Sequence, residues 1–185
     1  KLFSDEIQSH SWSILYRATL WKGFRFDETK IFMEDQPITF QLFLKAKKIV
    51  TTEYAGYYYV HRIGSLCQSH MSNKKIISAL MGYIFNYQFN FNNYSFSASQ
   101  ISQIRENVLQ QYSLIYLMMY PRFNYKIANE EEINSFETIV TFTKKTKAIR
   151  KYRPNIKKNI IKKFLYLYLR PLYKLVYKFF RKKYD

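Results

Sequence analysis

A chain of 185 residues, 48% of them apolar, is long enough for one domain with a real core or for a domain plus an appendage. No uncharged apolar run reaches the length of a bilayer span, and the single Cys67 excludes an intramolecular disulfide and fits a reducing compartment. Charge is uneven: 14 of the 30 Lys and Arg face 12 acids in residues 1–143, while the other 16 face Asp185 alone in residues 144–185. A near-neutral body therefore carries a basic tail, a composition shift of the kind that marks a boundary. The first residue, Lys1, is not an initiator Met, and we expect the C-terminal part of a longer protein.

In chain order, residues 10–22 read as a helix, with Trp12, Leu15, Tyr16 and Leu20 at helical spacing and Gly23 as its stop. Residues 24–26, Phe-Arg-Phe, read as a short strand. Next comes the pair Glu34-Asp35, with Asp35 as N-cap, Pro37 in the first turn, and apolar residues at Ile38, Phe40, Leu42, Phe43 and Leu44 in a helix running to about Lys47. Residues 49–52 and 54–62 read as β segments, the second strongly so from its tyrosines, and Ile63-Gly64-Ser65 as a loop.

From about Ser72 the period becomes helical, with Ile76, Ile77, Leu80, Met81, Ile84, Phe85 and Phe89 on one face. Residues 95–99 are a polar break. A second helix carries Ile101, Ile104, Val108, Leu109, Tyr112, Ile115 and Tyr116 and ends at Pro121. A third starts at the N-cap Asn129, with Glu130, Glu131 and Glu132 in its positive first turn, and continues through Ile133, Phe136, Ile139, Val140 and Phe142. These three helices are core-forming.

The tail is ordered by fours. Ile160, Phe164, Tyr168, Leu172, Val176 and Phe180 form an apolar row, and Lys158, Lys162, Arg170, Lys174, Lys178 and Lys182 a basic row shifted by two residues, about 200° around a helix. Pro171 is expected to kink or divide that helix. The pattern reads as an interfacial membrane helix, in which each basic residue near an anionic leaflet contributes up to about 1 kcal/mol. The competing readings are a helix docked on its own domain with a solvated basic back, and nucleic-acid binding. The unbroken apolar row opposite the charge counts against the second, and we expect no nucleic-acid partner.

Several of these pieces occur in one order: Trp12-Ser13-Ile14-Leu15-Tyr16-Arg17, Phe24-Arg25-Phe26, Glu34-Asp35 with Phe40, Ala46-Lys47-Lys48-Ile49, and Tyr57-Tyr58-Tyr59-Val60-His61-Arg62-Ile63-Gly64-Ser65. Together, over about residues 10–66, they resemble the acceptor-side half of the family 2 glycosyltransferases with the GT-A fold. That family's pattern is a W-x-K-L-Y-R helix, an F-x-F strand, an E-D helix start and Y-Y-Y-R-x-R-x-G-S. Ile14 and Val60 depart from it, standing where Lys and Arg are common. The resemblance implies an α/β fold: the C-terminal part of a Rossmann-like GT-A domain over residues 1–68, a helical extension over 69–146, and the basic amphipathic tail over 147–185.

The resemblance also implies a chemistry: inverting transfer of a sugar from a nucleotide sugar, such as a UDP-sugar, to a saccharide or lipid-linked acceptor in bacterial surface-polysaccharide synthesis. Asp35 would be the general base for the acceptor hydroxyl, and Glu34 would orient it or hold an acceptor hydroxyl. Arg62 and Ser65 match the motif that lies near the donor diphosphate, where a guanidinium offsets growing charge; His61 is a candidate for a phosphate or metal role beside them. Trp12, Tyr16 and Tyr58 offer faces for a sugar, although aromatic core packing is the favoured role for each. His10, His70 and Cys67 read as ordinary loop residues. The membrane-binding residues would be Lys158, Lys162, Phe164, Arg170, Leu172, Lys174, Lys178 and Phe180.

GT-A enzymes hold Mg²⁺ or Mn²⁺ with a D-x-D motif, which this chain lacks; it also lacks a Gly-rich phosphate loop. The donor-binding half is expected upstream, leaving this segment inactive alone, and the expected location is cytoplasmic and peripheral on the inner face of the cell membrane. The alternative is a non-enzymatic peripheral membrane-binding or scaffold protein, in which Glu34-Asp35 is only a helix cap.

Overall fold

Residues 34–45 bury nearly everything they carry. In the computed structural model, which describes residues 10–154, 157–170 and 172–173, Asp35–Lys45 form helix α1, with Gln36, Pro37, Ile38, Thr39, Phe40, Leu42, Phe43 and Leu44 all buried. Pro37 falls in the first turn, where its missing N–H costs no intrahelical bond. The N-cap is Glu34, in helical conformation and without a side-chain cap, so Asp35 is the first helical residue and not the cap. At the far end the Lys45 ammonium donates to the Leu20 and Lys22 carbonyls, each at 3.1 Å, and lies 4.7 Å over the Phe24 ring.

The central helix is α2, Asn73–Gln88, capped by the Ser72 hydroxyl on the Lys75 N–H. Its predicted face is buried at Ile76, Leu80 and Ile84, but Asn73, Lys75, Ser78, Ala79, Gly82, Tyr83 and Asn86 are buried as well. The reason is that α2 packs against α1 and also against the two longer helices that follow. Gly82 marks the closest approach, since a Cβ there would stand 3.2 Å from Pro37 Cγ.

Helix α3, Ala98–Met119, begins with a capping box between Ser97 and Gln100, and α4, Glu130–Lys145, with one between Asn129 and Glu132. Pro121 lies in a 3-10 turn, Tyr120–Arg122, that ends α3. Phe123 stacks on Phe136 with centroids 3.8 Å apart, and the Tyr112 hydroxyl reaches Thr143 at 2.5 Å, so α3, its exit and α4 share one core. Lys147, at φ 55, turns the chain into the short α5, Ala148–Lys151, and α6 follows at Lys157–Tyr168.

The α/β, Rossmann-like expectation is overturned: among the described residues there are helices and turns but no strand. Residues 24–26, 49–52 and 54–62 make no ladder. Aromatic and β-branched residues favour a strand only beside a partner strand, and no described segment supplies one. Nor do residues 10–22 form a helix. They hold two 3-10 turns, Ser11–Ser13 and Ala18–Trp21, joined by extended backbone. Leu15, one of the four expected apolar contacts, is fully exposed. A short helix with so little to bury is marginal, and the Ser11 N–H is spent on Asp35 instead. Gly23 does act as a stop, at φ 87 after the second turn.

Candidate functional site

The acid pair is fixed from two sides. On the incoming side, the Ser78 hydroxyl of α2 clasps Phe32, accepting from its N–H at 3.2 Å and donating to its carbonyl at 2.7 Å. Met33 then takes a left-handed conformation, φ 54, rare for a residue with a side chain and costing of order 1–2 kcal/mol. That bend delivers Glu34 and Asp35 to the head of α1. From the other side Ser11, 24 residues earlier, donates its N–H to Asp35 Oδ2 at 3.0 Å and its hydroxyl at 3.4 Å. Both carboxylates remain half-buried rather than enclosed.

Two phenols share the negative charge of Asp35 as a neighbour. Burial pushes Tyr83 up to about 12, and the Asp35 charge adds to it. Burial also raises Tyr16, whose hydroxyl lies 3.5 Å from Thr39 Oγ1, and Asp35 again adds to the shift. A phenol that keeps its proton beside a carboxylate remains a hydrogen-bond donor at neutral pH.

Next to Ser11 stands Trp12. It packs on Tyr57 and Tyr59, centroids 4.8 and 4.9 Å away, with His10 5.1 Å away and His61 against Tyr59 at 5.0 Å. Alternate residues of extended backbone point the same way, so Tyr57 and Tyr59 face Trp12 while Tyr58 stays 90% exposed. The Cys67 thiol beside Tyr59 pushes that phenol up. The Gln68 amide lies 3.3 Å from His61 Nδ1.

Arg62 and Ser65 close a tight turn of their own. Ser65 N–H donates to the Arg62 carbonyl at 3.1 Å, and Gly64, at φ 78, supplies the left-handed residue it needs. The Arg62 side chain is exposed there. Among the described residues no hydrogen bond, ion pair or ring contact joins Arg62 or Ser65 to Asp35. The structure thus brings together Asp35, Trp12 and, by way of Tyr59, His61, and leaves Arg62, Ser65 and Tyr58 on an exposed arm. Ser11 and Ser78 are the partners that sequence reasoning missed, and Tyr57 and Tyr59, though inside the tyrosine run that carries the resemblance, receive no role from it. The period-two side of the tyrosine run was the one available signal for Tyr57 and Tyr59.

The tail residues divide. Phe164 and Leu172 are exposed, as are the row members Ile160 and Tyr168, and Lys162 is half-buried. Arg170 donates to the Tyr166 hydroxyl at 2.8 Å and lies over its ring. The Lys158 side chain, Pro171, Lys174, Val176, Lys178, Phe180 and Lys182 lie outside the described residues. An open groove of about 490 Å³, lined by Tyr87, Ile101, Arg105, Glu106 and Lys151, holds none of the candidate site residues.

Among the described residues no three His, Cys, Asp or Glu side chains come together to hold a metal ion. No described helix is long and apolar enough to cross a membrane. Comparison with protein-family models, with curated proteins and with solved structures found no match.

Proposed function

We propose that this chain carries the acceptor side of an inverting glycosyltransferase, with Asp35 as the general base. One observation carries the reading. Trp12, Asp35, Tyr57 and Tyr59, far apart in sequence and each part of the ordered motif set, are linked at the head of one helix, through the Ser11 N–H on Asp35 and the Trp12 ring on the two tyrosines. A half-buried carboxylate beside aromatic faces is what an acceptor sugar requires: a face for its apolar side and a base for one hydroxyl.

In the proposed reaction, Asp35 takes the proton of an acceptor hydroxyl as that oxygen bonds to the anomeric carbon of a nucleotide sugar. The bond from that carbon to the diphosphate breaks, the nucleoside diphosphate leaves with the electron pair, and the configuration inverts. Glu34 orients the acceptor, Trp12 stacks on it, and Tyr58 closes on it from the arm. Arg62, Ser65 and His61 approach the diphosphate. A UDP-sugar is the proposed donor and a lipid-linked or free glycan of a surface polysaccharide the acceptor. Nucleotide and divalent metal would be bound by residues outside this segment. The proposed location is cytoplasmic and peripheral, with the basic tail on the inner face of the cell membrane.

The hydrogen bond from Ser11 favours a second reading, in which Asp35 is a structural staple of a membrane-binding scaffold. Asp35→Asn separates the two, because an amide oxygen still accepts from the Ser11 N–H but the side chain no longer takes a proton. In the enzyme carrying its donor-binding region, nucleotide release with a panel of sugar nucleotides should fall by about 10²–10⁴-fold in Asp35→Asn, with melting unchanged. Asp35→Ala should lose about 1 kcal/mol of stability as well. Equal turnover in wild type and Asp35→Asn removes Asp35 as the base, and no turnover with any donor favours the scaffold.

A further inference from the structure

Helix α6 meets the rest of the protein along one arc. Tyr166 and Tyr173 are 3% and 2% exposed, and Asn159 is buried with them. The Tyr166 hydroxyl meets that of Tyr116 at 3.0 Å, and the Tyr173 hydroxyl donates to the Leu117 carbonyl. Lys163 donates to the carbonyls of Tyr152 at 2.5 Å and Arg150 at 3.1 Å. At about 100° per residue, positions 159, 163, 166 and 173 fall within about 80° of helix surface. The bonds from Leu169 N–H to Leu165 O and from Tyr173 N–H to Leu169 O carry the helical register that far.

The opposite side is apolar and open. Ile160, Ile161, Phe164, Tyr168 and Leu172 are 50, 52, 54, 71 and 45% exposed and span about 120° of the same surface, centred about 160° from the docking arc. Leu165 and Leu167 also pack against the core, at the two edges of the docking side, and the arc between them faces away from the domain. Residues 144–184 contain 16 Lys and Arg and no acid.

We propose that this open arc is the surface on which the protein lies on an anionic membrane, with Ile160, Ile161, Phe164, Tyr168 and Leu172 at the boundary between headgroups and acyl chains. Tyr166 and Tyr173 fix the roll of the helix, so the domain is held in one orientation. The inference rests on the peripheral-membrane reading above and adds which face enters. Lys163 is thereby set apart from the other basic residues of the tail, since it is turned to the domain and ties the helix to the Arg150 and Tyr152 carbonyls. The charge decides the occupant. Two copies packed through this arc would bring two basic tails together, whereas an anionic leaflet neutralises both flanks of the helix while its interior takes the apolar arc.

The test is co-sedimentation of the full chain with vesicles of phosphatidylcholine alone and of phosphatidylcholine with phosphatidylglycerol. Wild type should bind the mixed vesicles, more weakly as salt rises, and bind the neutral ones poorly. Ile161→Glu with Phe164→Glu should weaken partitioning at least about tenfold with the circular dichroism spectrum and melting midpoint unchanged. The milder pair Phe164→Ser with Tyr168→Ser should act in the same direction. Binding by folded arc variants equal to wild type would overturn the assignment of the face while leaving peripheral attachment standing. Absence of wild-type binding overturns both. Self-association of wild type that Phe164→Glu abolishes, with no vesicle binding, assigns the arc to a second copy instead.

Discussion

Every side chain in residues 47–64 is exposed, Tyr54, Tyr57, Tyr58 and Tyr59 among them, whereas the helices between Asn73 and Lys145 bury Tyr83, Tyr112, Tyr116 and Phe136. Both stretches are rich in aromatics, so composition does not separate them. Backbone hydrogen bonding does. A helix closes its own N–H and C=O pairs and needs only side-chain partners, which α1, α2, α3 and α4 supply to one another. Extended backbone must borrow its partners from a neighbouring strand, and none lies beside residues 49–62 among those described. Tyr57 and Tyr59 accordingly rest on Trp12, and His61 on Tyr59, rather than in a core.

The comparison is broken most directly by truncation. Phe136→Ala should cost about 3–5 kcal/mol, while Tyr58→Ala should stay within about 0.5 kcal/mol, both read from urea midpoints at constant slope. A Tyr58→Ala loss as large as that of Phe136→Ala would mean the arm is packed in solution.

A smaller effect comes from alkali. Burial raises Tyr83 to about 12 and also raises Tyr112 and Tyr116. Above the ordinary phenol value of 10.0 the unfolded chain releases protons that the folded chain keeps. Stability is therefore complete below that pH and falls as pH rises through it, by roughly 2–3 kcal/mol from Tyr83 alone by about pH 12. Phenolate absorbance from the core should appear together with loss of helical ellipticity. Ionisation of these tyrosines well before the helix signal changes would show that the core is open to solvent.

The smallest effect sharpens the boundary between the two stretches. The Lys75 ammonium is buried and donates to the Leu66 carbonyl at 2.7 Å and the Ser69 hydroxyl at 2.5 Å, pinning the end of the arm to α2. Lys75→Met should cost about 2 kcal/mol or less and speed amide hydrogen exchange in residues 65–70 while leaving α3 and α4 protected. Uniform loss of protection would place this tether inside the core.

What could be read from the sequence follows the same division. The Asn129 cap was legible in the sequence and the structure bears it out, because capping is a local event within four residues. The change of period near Ser72 and the polar break at 95–99 marked two more helix starts, which the structure caps with Ser72 and Ser97. Asp35 was legible at a helix start, though one position inside it. Its grip on Ser11 was not, since nothing within a few residues of either reports a partner 24 residues away. The strands failed for want of a partner, and with them the α/β fold. In the tail the four-residue apolar row was correctly spaced as far as Leu172, but the docking side was hidden, because Tyr166 and Tyr173 look no different in sequence from Tyr168.

The chain has two tryptophans, and both sit outside the helical core: Trp12 on Tyr57 and Tyr59, Trp21 between Tyr16 and Phe26. Two independent gauges are therefore wired into one molecule. Indole emission reports on the head of α1 and its arm, while far-ultraviolet ellipticity reports on the helices. If the arm loosens before the core, the two melting curves will part, and the gap between them will measure how little the arm owes to the helices beneath it.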